Sequence, residues 1–141
     1  IRRPPRSTLF PYTTLFDLRS IGGWKLLFMP SAHVDVADRG QYLVDALGHC
    51  GECHTARNMF GGWKRGVWLQ GGPNPAGPGK IPGISSGALD WSPADIAEYL
   101  SSGFTPEYDV AGGEMVDVIK NTSRLSAADR DAIAAYLKRV K

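Results

Sequence analysis

With 141 residues, 43% of them hydrophobic, the chain has the length for one compact domain with a modest core and not for two full domains. Seventeen glycines and ten prolines predict long irregular segments between a few helices, and such loops need a body to pack on. A formal charge of +2, split as +3 over residues 1–19 and −1 over the rest, with no basic run interleaved with aromatics, excludes a nucleic-acid partner and a strongly basic docking face.

The opening, Ile1 to Phe16, reads IRRPPRSTLFPYTTLF and has neither helical nor strand periodicity. It looks like translated adapter sequence, so residues 1–20 are expected to be a non-native or poorly ordered leader. Residues 21–35, IGGWKLLFMPSAHVD, read as a linker whose Trp24, Leu26, Leu27 and Phe28 pack on a domain surface. Met29 and His33 carry donor atoms, but nothing upstream fixes their position, so they read as linker residues. The apolar stretch Trp24 to Met29 falls far short of the ~20 residues a membrane span needs. No secretory signal is visible either, and a targeting region is expected to be missing from this sequence.

From Val36 to His49, apolar positions recur at spacings of three and four (Val36, Gly40, Leu43, Val44, Leu47), with Asp35 or Asp38 to cap the start. Gly40 on that face costs ~1 kcal/mol against alanine inside a helix, so close approach of a second helix is the expected compensation. This helix runs into Cys50-Gly51-Glu52-Cys53-His54, the C-x-x-C-H signature of c-type haem attachment. Two thiols three apart on one turn can each add to a vinyl group of one porphyrin, and the adjacent imidazole then lies under the iron. Two other chemistries share the spacing: a redox dithiol and half of a zinc site. Against the first, no βαβ unit precedes the motif. Against the second, the chain has only these two cysteines, and zinc would have to borrow two of His33, His49 and His54. His49 reads as a surface residue or one supporting the site from behind its ligands.

Thr55 to Ile84 is dense in glycine and proline and is expected to wrap one edge of the porphyrin, with Trp63, Val67, Trp68 and Leu69 as wall candidates. A metal-bound histidine normally donates its second ring N–H to a carbonyl or carboxylate. The backbone carbonyl near Pro82 is the candidate acceptor, ahead of Pro78; a simple turn proline is the alternative. Trp91-Ser92-Pro93-Ala94-Asp95 opens the next helix, with Ser92 as N-cap, Pro93 in first position, Ile96, Tyr99 and Leu100 facing inward, and Gly103 ending it. The Trp91 indole N–H could reach a haem propionate, or the ring could simply pack in the core.

Ala111-Gly112-Gly113-Glu114-Met115 offers a soft thioether behind two glycines that permit close backbone approach, which suits a distal haem ligand. Met59, only five residues after His54, would have to cross the ring and reads as pocket lining. The last helix, Leu125 to Val140, has Ser126 and Asp129 as caps, an apolar stripe of Ile133, Tyr136, Leu137 and Val140, and cations Lys138, Arg139 and Lys141 at its end. It is the natural partner for Gly40. The whole implies a cavity bordered by Cys50, Cys53, His54, Trp91 and Met115.

Over residues 36–141 the chain resembles a class I cytochrome c, on CGECH, DWSPADIAEYL, GGEM followed by a short helix, and DAIAAYLKRVK. More narrowly, RGQYLVDALGHCGECHTARN and AGGEMVDVIKNTSRLS are similar to a haem domain of the multi-haem cytochrome subunits of bacterial membrane-bound alcohol, aldehyde and nicotinate-type dehydrogenases, in which a WKLLF-like linker precedes the domain. The resemblance implies an all-α fold of three to five helices wrapped around one covalent haem c, with residues 1–20 as leader, 21–35 as linker and 36–141 as the haem domain. It further implies an electron carrier in the periplasm, fed by a dehydrogenase and discharging to a quinone pool or terminal oxidase, with any membrane tether in missing parts of a longer protein. The site set is then Cys50, Cys53, His54 and Met115, with Pro82 and Trp91 in support. A five-coordinate haem sensor or peroxidase-like domain and a zinc-binding interaction module are the competing functions.

Overall fold

The computed structural model describes residues 11–28, 35, 37–75 and 77–141, with side chains from Leu18 onward. Met29, His33 and Val36 lie outside the described residues. The chain divides into two units, Ile1–Ala32 and His33–Lys141. In the first, helix α1 spans Pro11–Phe28, where no helix was expected. Its apolar side chains point all round the cylinder, so no helical period shows in the sequence, and Leu18, Ile21, Leu26 and Leu27 are exposed. Trp24 and Phe28, one turn apart, pair with ring centres 5.6 Å apart.

The second unit carries α2 (Arg39–Gln41), which continues without a break as a π-helical segment (Tyr42–Leu47). Asp38 is the N-cap and accepts from the Gln41 N–H at 3.1 Å. The widened register is set by Gly48 N–H donating to Leu43 O at 2.8 Å and Cys50 N–H to Val44 O at 3.1 Å. It also turns Leu47, expected on the apolar face, out to 58% exposure. After the single turn α3 (Gly51–His54) the chain winds through a 3₁₀ turn (Arg65–Val67) and a two-stranded antiparallel pair, β1 (Gly72–Pro73) with β2 (Lys80–Ile81).

Helix α4 (Pro93–Ser102) starts as its chemistry dictates. Ser92 accepts from the Asp95 N–H, Asp95 answers by accepting from the Ser92 N–H at 3.0 Å, and Gly103 closes the far end at φ 81°. Helix α5 (Met115–Thr122) begins at Met115 itself. Helix α6 (Ala127–Leu137) is capped by Ser126 and stops three residues earlier than its apolar stripe suggested, at Lys138. Its terminal cations have particular partners: Lys138 donates to Leu89 O at 3.1 Å and Arg139 pairs with Asp38.

One core joins these elements: Leu43 and Val44, Leu69, Ile96 and Leu100, Ile119, and Ile133, Ala134 and Leu137. Gly40 sits where α2 crosses α6. A Cβ there would stand 2.2 Å from Ala132 O and 2.7 Å from Tyr136 Cβ, so the crossing tolerates no side chain. The architecture is α-helical; among the described residues there are six α-helical segments, α1 in the first unit and five, α2 to α6, in the second. The sequence did not mark α1, whose apolar residues show no helical period, or α3, which is a single four-residue turn.

Candidate functional site

Helix α3 exists because Cys50 O accepts the His54 N–H at 3.0 Å, closing one turn that carries both cysteines and the histidine. To enter it from the π segment the backbone reverses at His49, which takes φ 50°, a left-handed conformation for a residue with a Cβ. His49 is exposed, as read. Cys50 is half-buried and Cys53 exposed, and no disulfide joins them. Burial, and after it the charge of Asp45, pushes the Cys50 thiol up to about 11.

His54 is only 7% exposed, and its Nδ1 lies 2.8 Å from Pro82 O. A carbonyl only accepts, so Nδ1 carries the proton and Nε2 keeps a free lone pair. Burial holds the His54 pKa below its ordinary value, with the Pro82 carbonyl opposing, and the ring is therefore neutral. The residues after His54 tie the turn to the wrapping loop. His54 O accepts the Gly71 N–H at 2.7 Å, and Thr55 Oγ1 accepts the Leu69 N–H at 3.0 Å.

Trp68 closes over this turn: a Cβ on Gly51 would meet its ring at 2.2 Å, so the glycine of the motif is the seat of that indole. Trp63 packs edge-on against Trp68 with ring centres 5.3 Å apart, and its buried Nε1 has no hydrogen-bond acceptor. Leu69 is fully buried, and Val67 is half-buried in the 3₁₀ turn. Trp91 packs edge-on against Tyr99 at 5.2 Å, and both Trp91 and Met115 are half-buried against the common core. Met59, read as pocket lining, is 90% exposed. Its loop is held by backbone bonds to Asn58 and Gly62 and points the side chain outward.

The expected cavity between the motif, Trp91 and Met115 is not among the two best-formed cavities. One, of about 500 Å³, lies beside Asp38, Gly40, Ala132 and Arg139; the other, of about 200 Å³, lies beside Glu52, Arg57 and Pro73.

Sequence reasoning missed Asp45 and the role of Tyr136. The Tyr136 hydroxyl donates to Asp45 Oδ2 at 2.6 Å and receives the Trp68 indole N–H. A carboxylate interrupting an otherwise apolar helical run, five residues before Cys50, was the available signal.

Among the described residues, no three His, Cys, Asp or Glu side chains come together to hold a metal ion, so Cys50, Cys53 and His54 do not converge on one point. A haem needs no such cluster, since the thiols of C-x-x-C-H bond carbon and only the imidazole meets the metal. A neutral, oriented His54 and the tight seat around Gly51 fit the same group.

No family model matches the chain. Among curated proteins it is 56% identical to a diheme cytochrome c-type protein of Cereibacter sphaeroides, over 96% of this chain and 47% of that protein. It is 35% identical to the fructose dehydrogenase cytochrome subunit of Gluconobacter japonicus, over 97% of this chain and 30% of the relative. It is also 35% identical to the alcohol dehydrogenase (quinone) cytochrome c subunit of Gluconobacter oxydans, over 84% and 28%. The chain thus spans about half the length, or less, of these relatives. The first match leaves only 4% of 141 residues, about 6, outside it, so α1 lies within the matched span.

Motif, fold and relatives make the chain similar to c-type cytochromes. In particular, the chain is similar to the cytochrome subunits that serve dehydrogenases.

Proposed function

We propose that residues 36–141 carry single electrons on one covalently bound haem, with Cys50 and Cys53 as thioether anchors, His54 as proximal ligand and Met115 as distal ligand. The observation that carries this reading is the His54 Nδ1–H bond to Pro82 O at 2.8 Å. It fixes the tautomer and the ring plane and leaves Nε2 as a strong donor, the arrangement metal-bound imidazoles require. When bound, the haem supplies a one-electron Fe(III)/Fe(II) couple.

The protein does the rest. Cys50, Cys53 and the α3 turn fix the prosthetic group in place; the bonded pair of His54 and Pro82 holds one axial direction. Met115, at the start of α5, offers the second ligand, whose soft sulfur favours the reduced state and raises the potential. Trp91 supplies an indole N–H suited to a propionate. Electrons arrive from a dehydrogenase and leave to a quinone pool or terminal oxidase, on the periplasmic side. Among the described residues no helix is long and apolar enough to cross a membrane.

Replacement of Met115 by Ala tests the ligand set. The oxidised wild type should show the weak thioether–iron charge-transfer band and the variant should lose it, while gaining rapid CO binding when reduced. A spectrum unchanged by the substitution rules out Met115. Rapid CO binding by the wild type would favour the five-coordinate sensor instead.

A further inference from the structure

We infer that Asp45 is an electrostatic positioning residue: its half-buried charge, held near Cys50 by Tyr136, lowers the reduction potential of the haem that Cys50 anchors. The inference rests on the haem reading above and concerns a residue that reading does not use.

The geometry is a short chain of contacts that ends at the motif. The Tyr136 hydroxyl donates to Asp45 Oδ2 at 2.6 Å, and the same hydroxyl receives the Trp68 indole N–H. The Trp68 ring covers Gly51, next to Cys50. On the other side, Cys50 N–H donates to Val44 O at 3.1 Å, so the residue beside Asp45 is bonded to the anchoring cysteine. The second carboxylate oxygen, Oδ1, is buried without a hydrogen-bond partner. Nearby cations are committed elsewhere. Arg139 stacks over Tyr136 at 5.7 Å but pairs with Asp38, and Arg39 pairs with Asp129 at 2.7 Å.

One bonded oxygen and one bare oxygen leave much of the charge uncompensated. In a poorly polarisable interior such a charge acts over several ångströms more strongly than it would in water. A negative charge there stabilises Fe(III) over Fe(II), opposing the upward pull of a thioether ligand. The single Tyr136 donor holds it in place without neutralising it.

The test compares Asp45→Asn and Asp45→Glu in the haem-loaded full chain by spectroelectrochemical titration, with denaturant unfolding of each. Asparagine keeps an oxygen for Tyr136 and removes the charge. It should shift the Fe(II)/Fe(III) ratio at a fixed applied potential toward Fe(II) by up to about tenfold, which is ~59 mV for one electron. Glutamate keeps the charge with a displaced carboxylate, and should leave the potential near that of the wild type while lowering stability. A potential that moves equally in both variants, as a purely structural role predicts, overturns the inference. So does one that moves in neither. If neither variant shows a covalent haem, the loss lies with attachment, and the wild type's own staining reports separately on the function reading.

Discussion

Gly40→Ala is the sharpest test of the helix packing that supports the site. The added Cβ would lie 2.2 Å from Ala132 O, and ordinary contact begins near 3.4 Å, so α2 and α6 would have to part by roughly 1 Å. The obstacle is backbone on α6, which cannot rotate away. Overpacking costs about 1–3 kcal/mol, and against backbone that cannot yield the upper part of that range, about 2–3 kcal/mol, applies; the gain in helix propensity returns ~1 kcal/mol, so the expected net loss is about 1–2 kcal/mol. The same displacement would pull Tyr136 from Asp45 and loosen Trp68 over Gly51, so α3 is affected as well as the crossing. Denaturant unfolding of the haem-loaded protein reads the change, with Gly66→Ala as control because nothing lies within 4 Å of a Cβ there. If Gly40→Ala unfolds within about 0.5 kcal/mol of the wild type, as a neutral surface change would, the close crossing of α2 and α6 is wrong.

Ser92→Ala removes the hydroxyl that accepts from the Asp95 N–H at 3.1 Å and should cost about 1 kcal/mol, while Ser92→Asp should restore most of it; equal stability of Ser92→Ala and wild type would refute the cap. Acid should also weaken the fold. The carboxyls of Asp129, bonded by Arg39, Asp95, bonded by Ser92, and Asp38, bonded by the Gln41 N–H, are all held below the ordinary value of 3.8. A depressed carboxyl contributes stability above its unfolded pKa and loses it as pH falls through the folded one, so the loss falls below about pH 4. Asp129→Asn should therefore flatten the stability profile below that pH, and an unaltered acid slope contradicts the assignment.

The parts of the fold legible in the sequence were those whose chemistry is local. Ser92, Pro93 and Gly103 bound α4 because caps act within a turn, and C-x-x-C-H is legible because its spacing alone sets one turn. Gly40 was legible as a contact without a known atom, since a glycine on an apolar face signals a neighbour but not which carbonyl it meets. What stayed hidden depends on longer reach. The π register after Gln41 turns Leu47 outward through backbone bonds that no side-chain pattern announces. Asp45 meets Tyr136 across 91 residues, and no local period links them. Helix α1 escaped because leucines and isoleucine on all its faces leave no stripe to find.

The central claim is that Cys50 and Cys53 bond a haem. The most direct measurement is a denaturing gel stained for haem, comparing the wild type with a Cys50→Ser/Cys53→Ser double variant. The account predicts a stained band that survives denaturation in the wild type and vanishes in the double variant. A wild-type band that is colourless after export to a haem-attaching compartment would contradict it.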